Sequence, residues 1–152
     1  MTHAHGGDLR RGRFSEAGRI YLVTTVTHER RPLFRDFTYA RTLIRCLREI
    51  NDLGSVDTQC FVVMPDHLHW LFDLGEAVSL GRVMQSMKSF SARRLNALQG
   101  VTGKVWQAGF HDHALRSEED VRRVARYVVA NPLRAGLVMH LGDFPWWDAR
   151  WL

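Results

Sequence analysis

Apolar positions along the chain switch between two spacings, and the switches mark its elements. Arg19–Thr27 (RIYLVTTVT) is rich in β-branched and aromatic residues and predicts a strand. HERRPLF follows as a loop punctuated by Pro32. Over Asp36–Asn51 the apolar residues Phe37, Ala40, Ile44 and Leu47 recur at helical spacing, with Leu43 and Ile50 widening the stripe. Asp36 suits the N-cap, and Asn51-Asp52-Leu53-Gly54 is a stop signal. Thr58–Val63 predicts a second strand and His67–Asp73 (HLHWLFD) a third. Between them Met64-Pro65-Asp66 is either a hairpin turn or a bend in one strand. Ser79–Leu98 predicts a long helix whose stripe is Leu80, Val83, Met84, Met87, Phe90 and Leu95. Val101–Leu115 reads as a loop with a short strand. Ser117–Ala130 predicts a third helix, with capping spacing from Ser117 to Asp120 and acidic residues in its first turn. Asn131-Pro132 ends or kinks it. The tail GDFPWWDARWL has no helical period.

Residues 1–18 are Gly- and Arg-rich without periodicity and read as a mobile basic arm, leaving one domain over 19–152. The order strand, helix, strand, strand, helix, strand, helix points to an α+β, ferredoxin-like antiparallel sheet with helices packed on it. That sheet hosts many nucleic-acid proteins, but a fold alone decides no function.

Composition adds constraints. The 152 residues are 45% hydrophobic and 24% charged, as in an ordinary globular protein. Net charge is +5 and the pI about 9.9, with Arg far outnumbering Lys, which suits a polyanionic partner without requiring one. Cys46 and Cys60 form no CxxC, and a reducing compartment is the simpler reading. No apolar run reaches the length of a membrane span, and the N-terminus has no secretory apolar segment, so a cytoplasmic protein is expected.

Three constellations could carry chemistry. On a strand, His67 and His69 point to one side, one pleat repeat apart, while Leu68, Trp70 and Phe72 face the core. Two imidazoles so placed can share a metal ion. An isolated pair of this kind is nonetheless more often two surface histidines, and the segment supplies no third ligand. Tyr127 lies on the third helix, whose apolar stripe is Val121, Val124, Ala125 and Val128. Asp120, Arg123, Tyr127 and Asn131 form a separate polar line. Asn131 offers an amide oxygen suited to Mg²⁺ or Mn²⁺, and Tyr127 a nucleophile beside it; a half-buried tyrosine with a wet hydroxyl is the commoner fate. His111 and His113 form a second such pair, suited to substrate contact, proton transfer or structure. Arg10, Arg11, Arg13, Arg30 and Arg31 near the start, Lys88, Arg93 and Arg94 on the second helix, and Arg123 and Arg134 later are candidate DNA contacts. Trp146, Trp147 and Trp151 could stack on bases or close the core.

The segments RRGRFSEAGRIYLVTTVTHERRPLF, VVMPDHLHWL, VWQAGFHDHALRSEEDV and YVVANPLRAGLV stand in that order. Together they resemble the REP-associated tyrosine transposases, a branch of the single-tyrosine HUH transposases, from about Arg10 to the FPWW tail. HxH alone is weak; MPDHLHWL followed by YxxxNPxRAGLV is specific. The resemblance implies a fold of the HUH endonuclease type with the histidines on a central strand. It implies that His67, His69 and Asn131 bind Mg²⁺ or Mn²⁺ and that Tyr127 is the nucleophile. It implies a bacterial enzyme that cuts single-stranded DNA near imperfect hairpins through a 5′-phosphotyrosine, and a monomer rather than a dimer. Two rivals remain: a non-catalytic single-stranded or hairpin DNA-binding module, and a Zn²⁺ hydrolase built on His67, His69, His111 and His113.

Overall fold

The computed structural model describes residues 3–5, 19–116, 118–140 and 144–149. Its strands are β1 (His3–His5), β2 (Ile20–Val26), β3 (Val56–Met64), β4 (His67–Leu74), β5 (Phe110–Leu115) and β6 (Trp147–Ala149). The helices are α1 (Phe37–Asp52), α2 (Leu80–Gln99), α3 (Glu118–Val129) and the single turn α4 (Asn131–Arg134). All six strands join one antiparallel sheet in the order β1-β5-β2-β4-β3-β6. The four inner strands have ferredoxin-like connectivity, so the α+β expectation holds.

Each face of the sheet buries a different set of residues. On one, Tyr21, Val23, Leu68, Trp70 and Phe72 pack against Ala40, Leu43, Leu47 and Ile50 of α1 and Val83, Met84, Met87 and Leu95 of α2. On the other, Cys60, Val62, Met64, Leu71 and Leu115 pack against Val121, Ala125, Val128 and Val129 of α3. The buried indoles are satisfied: Trp70 Nε1 donates to Thr58 Oγ1 at 3.1 Å and Trp106 Nε1 to Ser91 Oγ at 2.9 Å. Helix starts follow the sequence signals. Asp36 Oδ1 accepts from Tyr39 N at 3.1 Å, and Ser79 Oγ accepts from Arg82 N at 3.2 Å. Ser117, the cap expected for α3, lies outside the described residues.

The structure chooses between the two readings of Met64-Pro65-Asp66. Met64 pairs with His67, so Pro65 and Asp66 form the turn of a β3–β4 hairpin. It also departs from the sequence pattern in three places. The tail contributes β6, which pairs with Cys60–Val62 of β3. Within the segment read as a mobile arm, His3–His5 pair with Phe110–Asp112 of β5. The third helix, as Asn131-Pro132 signalled, breaks at Ala130 and resumes as α4, because Pro132 tolerates only the first turn of a helix. Phe37 leads the stripe of α1 yet is 59% exposed and rests edge-on against Trp146, with ring centroids 4.9 Å apart.

One glycine is required by close approach. Gly75 N donates to Ser55 O at 2.9 Å, and a Cβ at Gly75 would sit 2.5 Å from Gly54 O and 2.8 Å from Ser55 O. Both obstacles are backbone, so Gly75→Ala should destabilise the fold by about 1–3 kcal/mol. Urea unfolding reads this directly, and an unchanged midpoint would refute the crowding argument.

Candidate functional site

The alternation of β4 puts His67 and His69 on the face that α3 covers, opposite the fully buried Leu68, Trp70 and Phe72. Their rings lie edge to face with centroids 4.8 Å apart. Each ring spends its Nδ1 on a neighbour. His69 Nδ1 lies 2.7 Å from Thr24 Oγ1, its register partner on β2, and His67 Nδ1 lies 2.7 Å from Asp66 Oδ1 in the hairpin turn. The Asp66 carboxylate can only accept, so Nδ1 of His67 carries the proton and its Nε2 is the lone-pair atom; His69 is set the same way when its Nδ1 donates to the Thr24 hydroxyl oxygen. That is the arrangement a metal-binding histidine pair needs.

Charge states favour the same use. Burial, then the neighbouring His67, then the Arg134 guanidinium push the His69 imidazole down to about 3, so it is neutral at physiological pH. Burial alone would raise the Asp66 carboxyl. The hydrogen bond and charge of His67, together with Arg30, outweigh it and hold Asp66 below the ordinary carboxylate value. The His69 shift has a consequence for stability. Below about pH 6.5 the unfolded chain takes up a proton at this residue that the folded protein refuses until about pH 3. Its contribution is therefore intact above pH 6.5 and is lost as pH falls through that window. Denaturant unfolding in EDTA should show His69→Gln flattening the fall between pH 6.5 and about 4. Parallel pH profiles for the two proteins would rule the assignment out.

Tyr127 stands on the outer side of α3, 63% exposed. The Arg134 guanidinium lies over its ring at 3.7 Å from the centroid. Two observations put this end of α3 beside the histidines. Arg134 is among the charges that His69 feels. Val128 and Val129 pack in one cluster with Val62 and Met64, which are the β3 register partners of His69 and His67. Asn131 is half-buried at the break between α3 and α4. Its Nδ2 donates to Val128 O at 2.8 Å, so the amide oxygen is the end not tied to the helix. Arg123 on the same helix pairs with Asp120 at 2.5 Å.

Other expected residues fall elsewhere. His111 and His113 share the face of the His67–His69 pair, because His111 pairs with Thr24 and His113 with Leu22. The whole of β2 lies between them and β4, which separates the backbones by roughly 10 Å. Among the described residues no three or more His, Cys, Asp or Glu side chains are grouped to hold a metal, which disfavours the four-histidine zinc reading. Of the basic residues, Arg30 joins the pair through Asp66, with Nη1 donating to Oδ2 at 3.0 Å. Arg31 donates to Lys104 O. Lys88, Arg93 and Arg94 sit on α2, across the sheet from the histidines. There Lys88 donates to the carbonyls of Gln107 and Gly109, Arg93 lies over Phe90, and Arg94 pairs with Glu49 at 2.6 Å. Trp146 packs toward α1 and Trp147 against the α3 side. Arg10, Arg11, Arg13 and Trp151 lie outside the described residues. Thr24 and Asp66 were not singled out in the sequence. Asp66 could have been, since it directly precedes HLH; Thr24 is visible only through strand register.

The family model described as "Transposase IS200 like" matches residues 17–131, most of the chain and all of the elements just described from β2 to α3. The chain belongs to the IS200-like transposase family. Among curated relatives, the REP-associated tyrosine transposase of Escherichia coli (strain K12) is 29% identical over 91 residues, which span 59% of this chain and 52% of that protein. The chain thus spans about half the length of that relative. A Haemophilus influenzae protein provisionally given the same class name is 21% identical over 142 residues, covering 85% of this chain and 78% of that one. Among solved structures, a REP-associated tyrosine transposase bound to a REP hairpin superposes with a TM-score of 0.73 at 23% identity, covering 89% of this chain and 79% of that chain. The resemblance read from the sequence and the shared fold therefore agree. No helix among the described residues is long and apolar enough to cross a membrane.

Proposed function

We propose that this transposase cuts and rejoins single-stranded DNA beside REP-type hairpins through a covalent 5′-phosphotyrosine formed by Tyr127. The observation that carries the reading is the pairing of two oriented imidazoles, both with Nδ1 satisfied, with an exposed tyrosine held under an arginine. Family membership supports the reaction class, and the hairpin bound by the solved relative supports the substrate. His67, His69 and Asn131 are the residues that would hold Mg²⁺ or Mn²⁺. When bound, such an ion supplies Lewis-acid stabilisation of the scissile phosphate.

The chain's own groups do the rest. The Tyr127 hydroxyl oxygen attacks phosphorus in line. Its new bond to phosphorus forms as the bond to the 3′-oxygen breaks, the phenolic proton is released, and the 3′-oxygen leaves as a hydroxyl. Attack by a second 3′-hydroxyl on the phosphotyrosine reverses the step and joins strands without ATP. Arg134 clamps the ring and places a positive charge beside the phosphate-facing end of the helix. Arg30, 65% exposed at the side chain, offers a second phosphate contact. The test is direct. Labelled single-stranded REP-type hairpins incubated with the protein and Mg²⁺ or Mn²⁺ should yield a covalent adduct on a denaturing gel that EDTA prevents. Tight hairpin binding with no adduct on any substrate would instead favour a binding module.

A further inference from the structure

The hairpin turn that precedes His67 is held far more firmly than a two-residue turn requires. Thr27 N donates to Asp66 O at 2.9 Å, the Thr27 hydroxyl shares its one proton between Arg31 O at 2.8 Å and Asp66 O at 3.1 Å, and Phe34 N donates to Pro65 O at 2.9 Å. The Asp66 carboxylate is gripped at both oxygens, by His67 Nδ1 at 2.7 Å and by Arg30 Nη1 at 3.0 Å. The segment that supplies these groups carries consecutive non-glycine residues in the left-handed region, Glu29 at φ 56° and Arg30 at φ 51°. L side chains take that conformation reluctantly, and here it accompanies the placement of Arg30 on Asp66. Thr24 plays the matching part for His69 from the adjacent strand, 2.7 Å from Nδ1.

An imidazole on a strand can flip about its Cβ–Cγ bond, which puts Cδ2 where Nδ1 stood and Cε1 where Nε2 stood. An oxygen fixed against Nδ1 opposes that flip and keeps Nε2 at one place on the far side of the ring. We infer that Asp66 and Thr24 are positioning residues that lock His67 and His69 into one orientation for a shared divalent cation, with Arg30 and Thr27 bracing Asp66. The inference rests on the metal-binding role proposed above for the histidine pair.

The test measures Mn²⁺ binding to the full chain without DNA, by calorimetry and by the loss of the free-Mn²⁺ electron paramagnetic resonance signal. Thermal unfolding in EDTA checks the fold. Asp66→Ala and Thr24→Val should each weaken Mn²⁺ binding about 10- to 100-fold. Asp66→Asn and Thr24→Ser should recover most of it, since each keeps an oxygen that can accept from Nδ1. Thr24→Val preserves side-chain shape, so it carries the test even if Asp66→Ala fails to fold. If Asp66→Ala and Thr24→Val bind within about twofold of wild type while His67→Ala loses binding, the positioning role is refuted and the metal site stands. If the wild-type protein binds no Mn²⁺, both are refuted.

Discussion

Tyr127→Phe is expected to abolish the covalent DNA adduct and to lower hairpin cleavage by more than about a thousandfold, the scale on which losing a nucleophile acts. Hairpin affinity should stay close to wild type, because the ring that Arg134 covers is retained. The expectation is sharp because the structure leaves little competition among the three tyrosines. Tyr21 is 3% exposed and sits in the core under α1 and α2. Tyr39 is half-buried and packs against that same core, across the sheet from the histidines. Only Tyr127 is exposed and carried by the helix that covers the histidine face of the sheet. Cleavage rates from single-turnover gels, with adduct quantified in parallel, decide the matter; a Phe variant that still forms adduct would end the assignment of the nucleophile.

His67→Ala should reduce metal-dependent cleavage by about a hundredfold or more, the effect of losing a Lewis acid worth several kcal/mol. His67 is the better target of the two, since it begins β4 beside the turn whereas His69 lies inside the strand, where burial depresses its imidazole and its loss would mix cavity effects with chemistry. The variant should keep its unfolding midpoint in EDTA within experimental error of wild type, so that the lost rate reports the site. Raising Mn²⁺ should restore little, because one imidazole and one amide hold the ion poorly. Cleavage that proceeds at the wild-type rate in His67→Ala, or in EDTA, would remove the metal from the mechanism.

The two predictions draw on different levels of information. The hydrophobic pattern alone located β2, β3, β4 and the three long helices, because each has enough residues for a period of two or of 3.6 to show. The same alternation put His67 and His69 on one side and Leu68, Trp70 and Phe72 on the other, as observed. Spacing placed Tyr127 outside the apolar stripe of its helix, and the order of motifs marked the family.

What the pattern missed shares a cause. β1 and β6 have three residues each and exist because β5 and β3 offer them a free edge, which no local period records. Phe37 fits the stripe of α1 but sits at the helix start and lies against Trp146, so periodicity alone misjudged its burial. Lys88, Arg93 and Arg94 are legible as a basic helix, yet only packing reveals that α2 covers the face opposite the histidines. Thr24 reaches His69 across 45 residues through β2–β4 register, and Arg134 covers Tyr127 across the break at Ala130. Sequence determined which residues alternate, where helices begin and which side chains can do chemistry, since those depend on neighbours along the chain. Tertiary structure decided which face meets which helix and which oxygen stands behind each imidazole, since those depend on neighbours that only folding brings together.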